Sequence, residues 1–215
     1  MNKIIYDKYD KRRLTNLPLA EFTGRIVVVQ SESEAARAVD FLLTRQILGV
    51  DTETRPSFKK GHMNKVALLQ VSTEDICFLF RLNFIGLCPD VLRLLTNTEV
   101  PMVGLSWHDD LTMLHRRGDF KPGRFIDIQD LIGSIGIEDM SLQKLYANLF
   151  GQKISKRQRL TNWDADVLTD RQKVYAATDA WATLNLYNEI RRLAASGDYT
   201  LMRTPQPENN ITEHV

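Results

Sequence analysis

Ile47-Leu48-Gly49-Val50-Asp51-Thr52-Glu53 is an apolar run that ends in two carboxylates one residue apart. Bounded by polar residues, it reads as a buried strand. Residues i and i+2 of a strand share a face and lie roughly 6 to 7 Å apart, so Asp51 and Glu53 gather two negative charges on one side of the sheet. At the end of a buried strand such a pair is costly unless a cation or hydrogen-bond donors compensate, and hard oxygen ligands suit Mg²⁺ or Mn²⁺. For an isolated Asp-x-Glu the plainer reading, a strand running out into solvent with two wet carboxylates, is the better one.

The surroundings of this strand point to a mixed sheet. Upstream, Ile26 to Val29 reads as a strand, and Ser31 with Glu34 forms a capping-box signature that opens a helix through about Thr44. Downstream, strands at Val66 to Val71 and Ile76 to Phe80 flank the polar turn Ser72-Thr73-Glu74-Asp75, which fits a hairpin. From Pro101 the pattern alternates: a strand from Met102 to Leu105, a helix from about Asp109 to Arg116, a strand from Phe125 to Ile128, then helices after Ser141 and Thr169. The last helix opens on a second capping box, Thr169 with Gln172, and carries the apolar stripe Val174, Ala177, Trp181 and Leu184. Antiparallel strands followed by alternating units predict helices packed on a mixed sheet. The expected organisation is an arm at 1–24, one folded domain at 25–197 and a loose polar tail at 198–215.

Composition excludes several classes. The chain has 215 residues, 28 Lys+Arg against 27 Asp+Glu and 43% apolar residues, which fits one globular domain able to bury roughly 70% of its unfolded surface. Two cysteines give neither a disulfide framework nor a zinc quartet, so a reducing compartment, the cytoplasm, is expected. No apolar run approaches the ~20 residues that span a bilayer, and the charged first residues do not form a secretory signal, so no membrane partner is expected. A net charge of +1 argues against a uniformly basic coat and leaves room for a local basic patch. Phosphate-loop chemistry is unsupported, because no Gly-x-x-x-x-Gly-Lys run is present.

Two further motifs carry chemistry. In Tyr175-Ala176-Ala177-Thr178-Asp179 the i, i+4 spacing stacks phenol and carboxylate on one helix face, between small alanines that permit close approach. Asp109-Asp110 fall where a helix begins, and the helix dipole alone accounts for one acid there. Adjacent helical residues point in different directions, so at most one of them faces a shared site. Basic residues cluster at Lys153, Lys156, Arg157 and Arg159, just ahead of Asn162-Trp163. Any single one reads equally well as a solvated surface cation. Trp163 and Phe58 are candidates for stacking on bases, although an aromatic in this composition is more often core.

The order Asp-x-Glu on a strand, Asp at a helix start, then Tyr-x-x-x-Asp late in the chain resembles the DEDD superfamily of 3′–5′ exonucleases, in its tyrosine subgroup. The resemblance runs from about Arg25 to Leu193. Leu142-Gln143-Lys144-Leu145, Ser155-Lys156, Asn162-Trp163 and Leu168-Thr169 are similar in order and spacing to the ribonuclease D and Werner-exonuclease branch. The resemblance implies an α/β, ribonuclease H-like fold with a mixed five- to six-stranded sheet flanked by helices. It also implies that Asp51, Glu53, Asp109 and Asp179 hold two divalent cations, Mg²⁺ or Mn²⁺, and that Tyr175 helps place the attacking water. Asp109 is preferred to Asp110 because its distance to Met113-Leu114 and Gly118 fits the relatives better, and a one-residue shift would exchange the two. Thr52, Lys156, Arg157, Arg159, Asn162 and Trp163 are the expected contacts to nucleic acid.

The activity so implied is removal of nucleoside 5′-monophosphates from a 3′ end. DNA is favoured over RNA because the C-terminal helical domains of ribonuclease D have no counterpart here. The alternatives are a catalytically silent nucleic-acid-binding module on the same fold and a ribonuclease H-type endonuclease. The tyrosine spacing speaks against the endonuclease, and oligomeric state stays open.

Overall fold

A computed structural model describes residues 2–59 and 61–204. In chain order the elements are β1 (Lys3–Tyr6), β2 (Arg25–Val29), α1 (Glu32–Leu42), β3 (Leu48–Thr54), β4 (Val66–Ser72), β5 (Ile76–Arg81), α2 (Leu82–Ile85) and α3 (Pro89–Leu95). They continue with β6 (Met102–Gly104), α4 (Trp107–His115), β7 (Phe125–Asp127), α5 (Gln129–Ile132), α6 (Leu142–Phe150), α7 (Asp170–Ser196) and β8 (Tyr199–Met202). Both expected capping boxes are formed, Ser31 with Glu34 at α1 and Thr169 with Gln172 at α7.

Six strands build one sheet in the order β2-β5-β4-β3-β6-β7. Only β4 runs against its neighbours; the β2–β5, β3–β6 and β6–β7 pairs are parallel. The mixed sheet flanked by helices is the ribonuclease H-like fold the resemblance implied.

Side chains of the central strands divide cleanly between two faces. Val50, Leu69, Val71, Phe78 and Phe80 join α1 and α3 in one core. Leu68, Cys77 and Leu79 face Ala176, Ala177 and Ala180 of α7 in another. Those alanines and Gly49 let helix and strand nearly touch, since a Cβ on Gly49 would collide with the Ala180 carbonyl oxygen. The same face of β3 then carries Asp51 and Glu53, so the close crossing is what brings α7 to the carboxylates.

The flanks differ from the expected arm and tail. β1 and β8 pair in parallel as a two-stranded sheet, with Ile5 fully buried in the core around α6 and the second half of α7. The Asp7 carboxylate, itself buried, takes the backbone N–H and hydroxyl of Thr204. Phe22 packs under α7, and its N–H donates to the Thr178 hydroxyl at 2.9 Å. Residues 2–24 and 198–204 are therefore part of the folded unit. Local patterning could not show this, because each strand is four residues long and its partner lies at the other end of the chain. The rest of the expected tail, 205–215, lies outside the described residues.

Candidate active site

Strand β3, helix α4 and helix α7 converge at one end of the sheet. Asp51 and Glu53 project from β3 toward α7, and Asp179 comes down from α7. One carboxylate oxygen from each lies within 4.8 Å of the others. Glu53 is 8% exposed and Asp179 6%. Asp179 Oδ1 is buried and has no donor among the described residues. Two buried carboxylates and a partly buried one, meeting with an orphaned oxygen, are an arrangement water does not stabilise and a divalent cation would. The donors are all hard oxygens, which suits Mg²⁺ or Mn²⁺ rather than a soft metal.

The middle acid is corrected by the structure. Asp109 is exposed and points to solvent, whereas Asp110 turns to β3, where its Oδ1 accepts a hydrogen bond from the Thr52 hydroxyl. The charge of Asp110 acts directly on both Asp51 and Glu53. The expected helix began at Asp109; the observed one begins at Trp107. Its start is set by Asp127 at the end of β7, whose carboxylate accepts the N–H groups of Ser106 at 3.0 Å and Trp107 at 2.6 Å. Ser106 takes up a left-handed conformation, φ 58°, to make this turn, and its hydroxyl receives Gln129 Nε2. Asp127 thus fixes the rotational phase of α4 and with it which acid faces the site. Nothing in the residues near 109 signals a cap supplied 20 positions downstream; the sequence reading missed it.

Electrostatics register the crowding. Burial, then the charges of Asp110, Asp179 and Glu53, push Asp51 well above the ordinary carboxylate range. Glu53 is driven up to about 9 by burial and by Asp179 and Asp110, with Arg159 opposing. Asp110 rises to about 7, chiefly through burial and against the Thr52 hydrogen bond. Asp179 also rises to about 7 through burial, offset by the neighbouring Tyr175 phenol and the Lys156 charge. The Tyr175 phenol is itself held far above its usual value by burial and the carboxylates beside it, so it stays protonated and able to donate.

The remaining expected residues separate into two groups. Lys156, Arg157 and Arg159 are exposed, and Lys156 and Arg159 reach the carboxylates electrostatically. Lys156 and Arg157, with Lys153 and Arg171, line a cleft of about 730 Å³ whose wall includes Tyr175 and Thr178. Phe58 is 90% exposed on the loop after β3. Asn162 uses its side-chain oxygen to accept the Asp164 N–H in a local turn. Trp163 does not reach solvent at all: it is fully buried, with its ring 6.1 Å from that of Tyr175 and packed among the α7 alanines. It supports Tyr175 from behind and cannot stack on a base.

The fold and the carboxylate constellation define a class, the DEDD 3′–5′ exonuclease domains. A family profile described as 3′-5′ exonuclease matches residues 26–194, and the chain belongs to that family. Among curated proteins it is 31% identical over 188 residues to the bifunctional 3′-5′ exonuclease/ATP-dependent helicase WRN of Mus musculus, covering 83% of this chain. The chain spans only 13% of that relative's length. Among solved structures, the Aedes aegypti Nibbler EXO domain superposes with a TM-score of 0.72 at 20% identity, over 81% of this chain and 91% of that one. Trypanosoma brucei RNase D, in its complex with RNA U12, superposes at 0.69 with 19% identity, over 79% and 63%. No helix among the described residues is long and apolar enough to cross a membrane.

Proposed function

We propose that this chain hydrolyses phosphodiester bonds one nucleotide at a time from a 3′ end, in a metal-dependent reaction that releases nucleoside 5′-monophosphates. The observation that carries the proposal is the convergence of Asp51, Glu53 and Asp179 within 4.8 Å, with Asp110 facing them. These four side chains would hold a pair of Mg²⁺ or Mn²⁺ ions. Bound there, such ions would supply charge stabilisation at the entering and leaving oxygens and would lower the pKa of water.

The chain's own groups do the rest. Tyr175, kept protonated in its buried setting, is suited to orient the attacking water by hydrogen bonding rather than to act as a base. Lys156 and Arg159 balance the acidic cluster and, with Arg157, are placed to bind phosphates of the entering strand. Thr52 restrains Asp110, so its part is in shaping the site rather than in gripping nucleic acid. DNA remains the favoured substrate, supported by the higher identity among curated relatives to the exonuclease/helicase, 31%, than to the ribonuclease D of Haemophilus influenzae, 25%.

The test uses 5′-labelled single strands and recessed duplexes, as DNA and as RNA, with Mg²⁺, Mn²⁺ or EDTA. Stepwise shortening from the 3′ end, abolished by EDTA and by Asp51→Ala, is the expected result. Internal fragments would assign an endonuclease, and a fully inert protein that still retains nucleic acid would assign a binding module.

A further inference from the structure

Gln70 is the one side chain among the described residues with both of its polar atoms buried and unpartnered. It sits in the middle of β4, is 0% exposed, and neither Oε1 nor Nε2 has a hydrogen-bond partner among the described residues. Leu68, two residues away, and Leu79, directly across on β5, are apolar and offer it no partner, and the Ser72 hydroxyl on the other side is turned to the Thr73 carbonyl. A primary amide left unpaired in such a place is strongly unfavourable, whereas a leucine or methionine would fill the same space at no such cost. Packing therefore gives no reason for glutamine here.

The register supplies one. Gln70 is the antiparallel partner of Asp51. Directly opposed residues point to the same face with Cβ atoms about 4.5–5.5 Å apart, a gap an extended glutamine side chain crosses. On that face lie α7 and the carboxylate cluster. Asp51 receives the backbone N–H of Thr52 but no side-chain donor among the described residues, for the Thr52 hydroxyl is spent on Asp110 and Tyr175 belongs to the Asp179 side. A carboxylate that ligates a cation through one oxygen needs a donor to the other if its orientation is to be fixed. We propose that Gln70 is a positioning residue: its amide N–H donates to the inner oxygen of Asp51 when cations occupy the cluster, and so sets the angle at which Asp51 presents its outer oxygen. This rests on the metal-binding reading of the cluster. In the cation-free protein the amide is in reserve, and a small rotation of the glutamine side chain engages it.

Binding and stability separate this from a packing role. Gln70→Met and Gln70→Leu remove the donor at nearly constant volume, and Ser72→Ala serves as a control on the same strand and face, since the Ser72 hydroxyl is engaged by the Thr73 carbonyl and the Cys77 thiol, away from the carboxylates. Mn²⁺ binding is measured by calorimetry and by electron paramagnetic resonance, and melting temperature in EDTA. We expect both Gln70 variants to melt at or above the wild-type temperature and to bind Mn²⁺ about 10–100-fold more weakly, the range for lost partners of metal ligands. Ser72→Ala is expected to bind Mn²⁺ as wild type does. Wild-type Mn²⁺ affinity in both Gln70 variants overturns the proposal, as does a fall in melting temperature with affinity unchanged, which would make Gln70 structural. If wild type binds Mn²⁺ and Asp51→Asn does not, the metal reading stands whatever Gln70 does; if wild type binds none, that reading fails and the proposal with it.

Discussion

Replacing Glu53 by glutamine is expected to make the cation-free protein more stable at pH 8, even though it removes a residue the proposed reaction requires. Glu53 is raised from its ordinary 4.5 to about 9, first by burial and then by Asp179 and Asp110. Between those values the folded chain holds a proton that the unfolded chain has released. The stability this proton confers is complete below pH 4.5, declines as pH rises, and is gone above about 9. At 1.36 kcal/mol per pH unit, the loss accumulated by pH 8 is roughly 5 kcal/mol if Glu53 bears it alone. Asp51, Asp110 and Asp179 are raised with it and share the same repulsion, so an amide at position 53 should recover about 3 kcal/mol of it. For a chain of this size that corresponds to roughly 6–12 °C in melting temperature. The assay is thermal unfolding in EDTA at pH 5 and pH 8, followed by circular dichroism. Glu53→Gln should melt well above wild type at pH 8 and within about 3 °C of it at pH 5, where less than 1 kcal/mol of the effect has developed. Added Mn²⁺ should close the gap by raising wild type more than the variant, which has lost a ligand. A variant that melts at or below wild type at pH 8, or that gains equally at both pH values, would refute the reasoning that repulsion among buried carboxylates is stored in the cation-free fold.

Exchanging the middle acid tests the α4 geometry: Asp110→Asn should lower kcat by more than the roughly 100-fold upper range for outer-shell metal partners, while exposed Asp109→Asn should stay within about twofold of wild type, in the same labelled-strand assay. Removing the cap with Asp127→Ala should cost about 1–2 kcal/mol in urea unfolding, as other lost helix caps do, and should also slow cleavage because Asp110 loses its aim. Loss of stability with cleavage unchanged would show that α4 holds its phase without Asp127. Trp163→Ala should destabilise by about 3–5 kcal/mol as a large buried deletion, whereas Lys156→Ala should leave stability intact, weaken strand binding and reduce the salt dependence of log K by about 0.7. The reverse pattern in a fluorescence-anisotropy titration would return Trp163 to the nucleic-acid interface.

What the sequence made legible, and what it hid, follows from how far each determinant reaches along the chain. The capping boxes at Ser31 and Thr169 act over three residues, and the β4–β5 turn over four, so both are written locally and both form. The choice between Asp109 and Asp110 is a 100° rotation on a helix, and it is made by Asp127, a residue on a different strand. Trp163 looks the same in sequence whether it lies on a surface loop or beneath Tyr175; only the close crossing of α7 over Gly49 decides. β1 and β8 are invisible for the same reason, their pairing spanning nearly the whole chain. Asp51, Glu53 and Asp179 lie outside this pattern, since their meeting is long-range and yet their positions could be picked out. Each is locally unusual, a charge at the end of an apolar strand or a carboxylate beside the alanines of a helix. Taken singly, each had a plainer reading, and only their order along the chain, resembling that of the DEDD exonucleases, joined them into one site. Three such violations side by side, unfavourable for the fold alone, are what the proposed cation site would account for, and the proposed role of Gln70, the next polar group inward on that face, belongs to the same account.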